Sequence, residues 1–492
     1  VQAAALADCH DCGGLFAPVA VGRGKALVSL LAPVVMGAER PVLFVPAQLR
    51  EQTRLKVLPD MRRHWKLHPD LRVVGYSELS LASRKDLLDE IRPDLIVLDE
   101  AHNVKNDAAA RTRRLRRYLS ENPGTRVVAL SGTITRRSLR DYWRLLMWAL
   151  GPMRAPLPRH WRELQDWADA IDDEVEDWKR LRPGALQVLV DAGEDVRSGY
   201  RRRLVESPGV VATSEEELGT SLRILPFDLL PPPEVLSALS DLRKFWETPN
   251  GDPIVEAVDL WRHARELALG FWYRWEPYPP KKWLEARREW KSYVRETLRH
   301  NRRGLDSELM VWNECAADPD KSLEWNRWAE IRDTFEPRTV AEWVSEFALE
   351  AATAWLAEVG GICWVEHVEF GKELSRLSGV RYFGGGPRAS AEILDATGPI
   401  IASIVAHSEG KNLQRYFRNL VVSPPSSGKR WEQMLGRTHR PGQRADEVVV
   451  EAFSYTPEQR ESFASAVSEA RYIEQTIGAR QKLLYADVAI GG

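Results

Sequence analysis

At 492 residues, with 44 % hydrophobic and 28 % charged side chains, the chain is a globular protein of about two to four domains. A formal net charge of −2 excludes a uniformly basic coat for nucleic acid but leaves room for a local basic track, since phosphate contacts act within a Debye length. No apolar run reaches the length of a membrane span, no signal peptide is visible, and the four scattered cysteines exclude a disulfide framework. A reducing, cytoplasmic setting without a membrane partner is expected.

The chain opens at Val1-Gln2 without a methionine, as a processed or trimmed product would. Cys9-His10-Asp11-Cys12 has the residue types of half a zinc site, but no second close pair completes four ligands, so reduced cysteines near a helix end are expected. Gly13 to Val21 reads as a buried strand running into Gly22-Arg23-Gly24-Lys25-Ala26 and then an apolar helix. In a phosphate cradle of this kind, glycines let backbone N–H groups approach the phosphates. The helix N-terminus adds its dipole, and Lys25 reaches the β and γ oxygens. Ala26 stands where Ser or Thr would offer a hydroxyl to Mg²⁺, and Val19 stands where the longer consensus has its first glycine.

Pro41 to Thr53, Leu71 to Ser80, Asp94 to Asn106 and Thr125 to Leu139 each pair a β-branched or apolar run with polar residues and a helical pattern. Such alternation predicts a parallel sheet with helices on both faces. The run Leu95 to Leu98 delivers Asp99 and Glu100 of a DEAH stretch to a strand's carboxyl end, where such sheets bind ligands. An acid there holds Mg²⁺ through its water shell, and its neighbour polarises the attacking water. Ser131 and Thr133 close another strand, where hydroxyls either relay to a polymer site or simply make a turn. The arginine cluster from Arg111 to Arg117 reads as a solvated helix face rather than a binding site.

From about Trp161 to Trp355 the strand alternation stops and charged helical stretches take over. Twelve of the 19 tryptophans lie between Trp246 and Trp364, at a spacing that suits helical core packing better than base stacking. Strand candidates return at Gly360 to His367, Val380 to Gly386, Gly398 to His407, Asn419 to Pro425 and Asp446 to Phe453. Two chemistry-bearing stretches lie among them, Ala406 to Leu413 and Arg430 to Gln443. In the second, Arg437 and Arg440 sit at i and i+3 on one helix face, able to meet a γ-phosphate as arginine fingers do.

These stretches together resemble Swi/Snf-related ATPases of helicase superfamily two, in particular the compact members encoded by bacteriophages. Leu130 to Pro152 is similar to the segment joining motif III to the first-lobe protrusion, and Tyr200 to Val211 to the connector between lobes. Gln2, 23 residues before Lys25, falls near the family's adenine-reading glutamine. Ala406 to Leu413 resembles motif V, with His407-Ser408 replacing the usual glycine pair. Gln433, Gly436, Arg437, His439, Arg440, Gly442 and Gln443 stand where motif VI has them. The resemblance covers roughly 1–152 and 353–487.

The resemblance implies an α/β fold of two RecA-like, doubly wound parallel-sheet lobes, at 1–152 and 353–492. A helical protrusion, connector and Trp-rich insertion would occupy 153–352. It implies an ATP-dependent translocase acting on DNA, duplex in preference to single-stranded, with ATP and Mg²⁺ as its cofactors. Gln2, Gly22, Gly24, Lys25 and Ala26 would bind the nucleotide, and Asp99 would hold the metal. Glu100, Asp99, Gln433, Arg437 and Arg440 would be catalytic, and Ser131, Thr133, His407 and Asn412 would lie along the nucleic acid. Ala26 also suits an alternative, a clamp that binds DNA and ATP without turnover.

Overall fold

The computed structural model describes residues 1–19, 23–132, 134–135, 137–172, 184–212, 220–252, 254, 256–299 and 304–490. Gly22 and Thr133, both expected at the site, lie outside them. The β-branched runs of the first third become strands β1 (Leu15–Ala17), β2 (Pro41–Val45), β3 (Arg72–Gly75), β4 (Leu95–Asp99) and β5 (Arg126–Leu130). They pair in parallel in the order β1-β5-β4-β2-β3. β2 is buried throughout and β4 up to Leu98, as strands covered on both faces must be. Just before the chain leaves this lobe, Gly209 to Val211 returns to β1. There the Phe16 N–H donates to the Gly209 carbonyl at 2.8 Å and the Val211 N–H to the Phe16 carbonyl at 3.1 Å.

The middle block differs from expectation. β6 (Ser221–Phe227), β7 (Phe271–Trp275) and β8 (Thr339–Trp343) lie inside the stretch read as helical. β7 and β8 form an antiparallel pair. β6 instead joins the strands that follow: β9 (Ile362–Val365), β10 (Tyr382–Phe383), β11 (Ile400–Ser403), β12 (Arg418–Val421), β13 (Glu447–Phe453) and β14 (Asp487–Val488). Together they make a seven-stranded parallel sheet in the order β10-β11-β9-β12-β13-β6-β14. The fold is therefore two RecA-like α/β lobes, but the second begins at β6 rather than at 353. Paired with β13 along its whole length, β6 buries only Leu222 and Ile224 fully, so it carries no continuous apolar run.

The insertion is rooted in the second lobe. Phe271 of β7 packs with Cys363, Val365, Ile401, Leu420 and Phe453. Beyond β7, helices Lys281–Arg299, Glu308–Ala317 and Leu323–Ile331 close a separate core around Trp290, Val294, Leu305, Val311 and Cys315. Trp272, Trp290, Trp355 and Trp364 are all buried, which is the packing role their spacing suggested.

The far end of the insertion docks on the first lobe through the arginine cluster. Arg114 donates from Nε and Nη2 to the two carboxylate oxygens of Asp306 at 2.7 and 2.8 Å, and both residues are 2 % exposed. Arg113 and Arg117 converge on the same residue. The helix Ala110–Glu121 is thus an internal dock on this side and not the solvated face expected.

The long helix Pro457–Ile477, opened by a capping box between Thr456 and Gln459, joins the lobes a second way. Phe463, Ala466 and Ala470 lie in the second-lobe core, while Ile473 and Ile477 complete the first-lobe core beside Tyr200 and Leu204. Tyr472 Oη donates to Asp172 at 2.7 Å at this crossing. Among the described residues no helix is long and apolar enough to cross a membrane, and no cluster of ligand side chains could hold a metal. Cys9 is buried, which with the nearby Asp8 pushes its thiol up to about 12, and Cys12 beside it is free.

Candidate active site

Two strand ends and one helix N-terminus build the first-lobe wall. β4 ends at Asp99, and Glu100 follows at φ 54°, a left-handed conformation that costs a side-chain-bearing residue energy and turns its carboxylate into the cleft. The Asp99 carbonyl accepts from Tyr76 Oη at 2.9 Å, which fixes this corner from beneath. Gly24 caps helix Lys25–Val35 at φ 83°, and a Cβ there would lie 1.9 Å from Gln2 Nε2. Gln2 in turn donates to the Arg23 carbonyl at 3.3 Å. Lys25 Nζ sits 3.1 Å from Glu100 Oε1.

The acids are held in opposite states. Burial raises the Asp99 carboxyl, and the adjacent Glu100 charge raises it further. Burial would raise Glu100 too, but the Lys25 ammonium and the His102 imidazole outweigh it and hold that carboxyl well below its usual range. His102 Nδ1 lies 3.4 Å from Glu100 Oε2 and 3.0 Å from Ser131 Oγ, and Ser131 donates to Glu100 at 3.3 Å.

Helix Gly428–Thr438 and the segment after helix Ile404–His407 build the second wall. Arg437 is buried, donating from Nε to the Gln433 carbonyl at 2.8 Å and from Nη1 to the Lys411 carbonyl at 3.1 Å. Arg440 donates to the same carbonyl and to Asn412 Oδ1. Burial, with Arg440 alongside, brings the Arg437 guanidinium down to about 10, against the pull of Glu100 and Glu409.

The walls face one another across one cavity of about 780 Å³. Gly24, Lys25, Ala26, Asp99 and Glu100 line it from one lobe, and Gly410, Asn412, Arg437 and Arg440 from the other. Among the described residues no carboxylate lies within ion-pair distance of Arg437 or Arg440, and Arg440 Nε is buried without an acceptor. Three cationic side chains around a pair of acids suit a polyphosphate carrying a divalent cation. The donor set is short of one ligand for that cation. Ala26 has no hydroxyl, and the Ser29 hydroxyl on the next turn donates to the Ala26 carbonyl at 2.9 Å.

The SNF2-related domain model matches residues 47–195, a span holding β4, Asp99, Glu100 and Ser131 but neither Lys25 nor Arg437. Residues 47–195 are therefore similar to the SNF2-related domain, the first-lobe domain of Swi/Snf-related proteins of helicase superfamily two. No curated protein matches the chain. At a coarse level, this similarity is to a domain of ATP-dependent, DNA-associated motors.

Two of the residues expected along the nucleic acid, Ser131 and His407, are fully buried. Ser131 is buried and bonded to the Glu100–His102 pair, so it faces the acids. His407 is fully buried and donates from Nε2 to the Gly384 carbonyl at 2.8 Å, so its side chain has no surface to offer a polymer. Asn412 is exposed and lines both the cleft and a second cavity with Arg415, Gln443 and Arg444. Gln433 points at Glu409, donating from Nε2 at 2.9 Å.

Residues the motifs did not single out complete the contact between lobes. Gln48 Nε2 donates to Glu409 at 3.4 Å, and Gln52 Nε2 to the Gly410 carbonyl at 3.3 Å. Lys411 Nζ donates to Gln52 at 3.3 Å and to the Ser390 carbonyl at 2.7 Å, its ammonium brought down to about 8 by burial and by Lys56 and Arg437. The signal for these was the glutamine pair after β2, which the strand-and-helix pattern absorbed.

Proposed function

We propose that this chain hydrolyses ATP in the cleft between its lobes, that DNA stimulates the reaction, and that opening and closing the cleft moves the protein along a duplex. The observation carrying this reading is that Lys25 and Glu100 of one lobe share a cavity with Arg437 and Arg440 of the other. Before substrate arrives, Lys25 is held by Glu100 at 3.1 Å. A triphosphate competes for that ammonium, freeing Glu100 to hold the attacking water and accept its proton. Arg437 and Arg440 approach the terminal phosphate from the opposite side and stabilise the charge it gains. Gln2, which packs on Gly24, would read the base. Magnesium, bound through water by Asp99, would supply charge neutralisation at the phosphates.

A second reading rests on Ala26. Without a direct hydroxyl ligand the metal binds more weakly, and the chain would be a clamp that holds ATP and DNA without turnover. The test is ATP turnover with and without duplex DNA, single-stranded DNA and RNA, for the natural chain and for Glu100→Gln. Duplex-stimulated turnover abolished in the variant supports the motor. Duplex binding without turnover, with hydrolysis appearing in Ala26→Thr, selects the clamp.

A further inference from the structure

Glu409 occupies an unusual place for an acid. It lies in the second lobe, directly after His407-Ser408, the pair that replaces the family's two glycines, yet its carboxylate reaches across to the first. Oε1 accepts from Gln433 Nε2 at 2.9 Å and lies 3.7 Å from His102 Nε2, and Oε2 accepts from Gln48 at 3.4 Å. The other nitrogen of the same imidazole lies 3.4 Å from Glu100 Oε2. The order across the cleft is therefore Glu100, His102, Glu409, Gln433: two carboxylates sharing one ring, with the ring on the first lobe and one acid on the second.

We propose that Glu409 is a positioning residue, through which the second lobe sets the orientation of His102 and thereby of the Glu100 carboxylate. This rests on the hydrolytic reading above. At 3.7 Å, with Asn103 Nδ2 3.4 Å from the same nitrogen, the Glu409 carboxylate acts on the ring through its charge rather than a hydrogen bond. A negative charge on one side of an imidazole biases its protonation and orientation, and so what the opposite nitrogen presents. Here the opposite nitrogen faces the group assigned to activate water. The glutamate's own place depends on lobe contact, because its neighbour Gly410 at φ 68° lies so close to Leu49 that a Cβ would come within 2.2 Å. Gln52 holds the Gly410 carbonyl from the same first-lobe helical stretch. When the lobes part, Glu409 leaves both Gln48 and His102, and the water-activating acid loses its orienting partner. Hydrolysis is thereby made conditional on closure.

The residue must be separated from a simple staple between lobes. For the full chain with saturating duplex, Glu409→Ala and Glu409→Gln lower kcat roughly 10- to 100-fold, as removal of an orienting partner does, while the KM for ATP and the unfolding midpoint hold. His102→Ala lowers kcat similarly, and the double variant His102→Ala/Glu409→Ala loses little more than either single one. Gln52→Ala cuts two neighbouring inter-lobe hydrogen bonds without touching His102 and loses less than Glu409→Ala. A kcat unchanged in Glu409→Ala, losses that simply multiply with His102→Ala, or a Gln52→Ala loss as large with KM rising in both, overturns the proposal. Turnover by the natural chain separates the two readings: without it both fall, and with it these outcomes remove only this one.

Discussion

Arg114 and Arg437 are both nearly buried and both sit on helices, yet they meet opposite surroundings. Arg114 has its counter-charge inside the protein. Its fork is closed by the Asp306 carboxylate and its remaining nitrogen by the Leu81 carbonyl at 2.5 Å. Among the described residues Arg437 is held by two backbone carbonyls and no acid, with Arg440 beside it and the acids opposite engaged by Lys25 and His102. A buried cation without a paired anion is costly, a cost that the phosphate of the proposed reaction would offset on binding. The number of arginines in a stretch therefore says little about function. Whether their charge is already matched says much.

The comparison can be broken first at the unmatched arginine. Arg437→Ala should lower ATP turnover by about 10³-fold or more, the scale of a lost arginine finger, and leave the unfolding midpoint unchanged or raised. Turnover within tenfold of the natural chain in a steady-state assay would remove Arg437 from the reaction. At the matched one the effect falls on stability. Asp306→Ala strands Arg114 as a buried, unpaired cation and should cost about 3–5 kcal/mol in urea unfolding, while a joint Arg114→Met/Asp306→Leu change recovers most of it.

Acid should separate the two regions. His439, on the turn between Arg437 and Arg440, donates from Nε2 to the Thr220 carbonyl at 2.8 Å. Burial, with Lys482 nearby, lowers its pKa to about 4 against that hydrogen bond. The unfolded imidazole takes a proton at about 6.5, so this contribution is complete above pH 6.5. It declines as pH falls and is gone below about 4, a loss of about 3 kcal/mol. His439→Gln should flatten the stability profile over that window. Smallest is Arg113→Ala. Arg113 donates to the Asp306 carbonyl at 3.4 Å, and its loss should cost under about 1 kcal/mol.

Both lobes were legible in the sequence because buried parallel strands are continuous apolar runs, as at Ile362 to Val365 and Leu95 to Leu98. Their site-bearing ends were legible for the same reason, since Asp99 and Glu100 follow such a run directly. β6 was missed because Pro226 and alternating exposure break its run, although an edge-side pairing tolerates both. β7 was hidden by the tryptophans that invited a helical reading, while its run of Phe, Trp and Tyr suited a strand equally well. Asp306 carries no local signal as the partner of Arg114, since 192 residues separate them. Glu409 was passed over because it stands beside a motif's departures, and its meaning depends on an imidazole from the other lobe.

The helix that ends at Ile477 has a consequence for biosynthesis. Ile473, Ile477 and Ala479 belong to the core that also holds Phe16, Phe44 and Leu98, so strands β1 to β5 are finished by residues made hundreds of positions later. A ribosome releases β1 to β5 hundreds of residues before that cover exists. Until helix Pro457–Ile477 emerges, the nascent first lobe carries an apolar face that this helix later covers, and it is most exposed to chaperones and proteases in that interval.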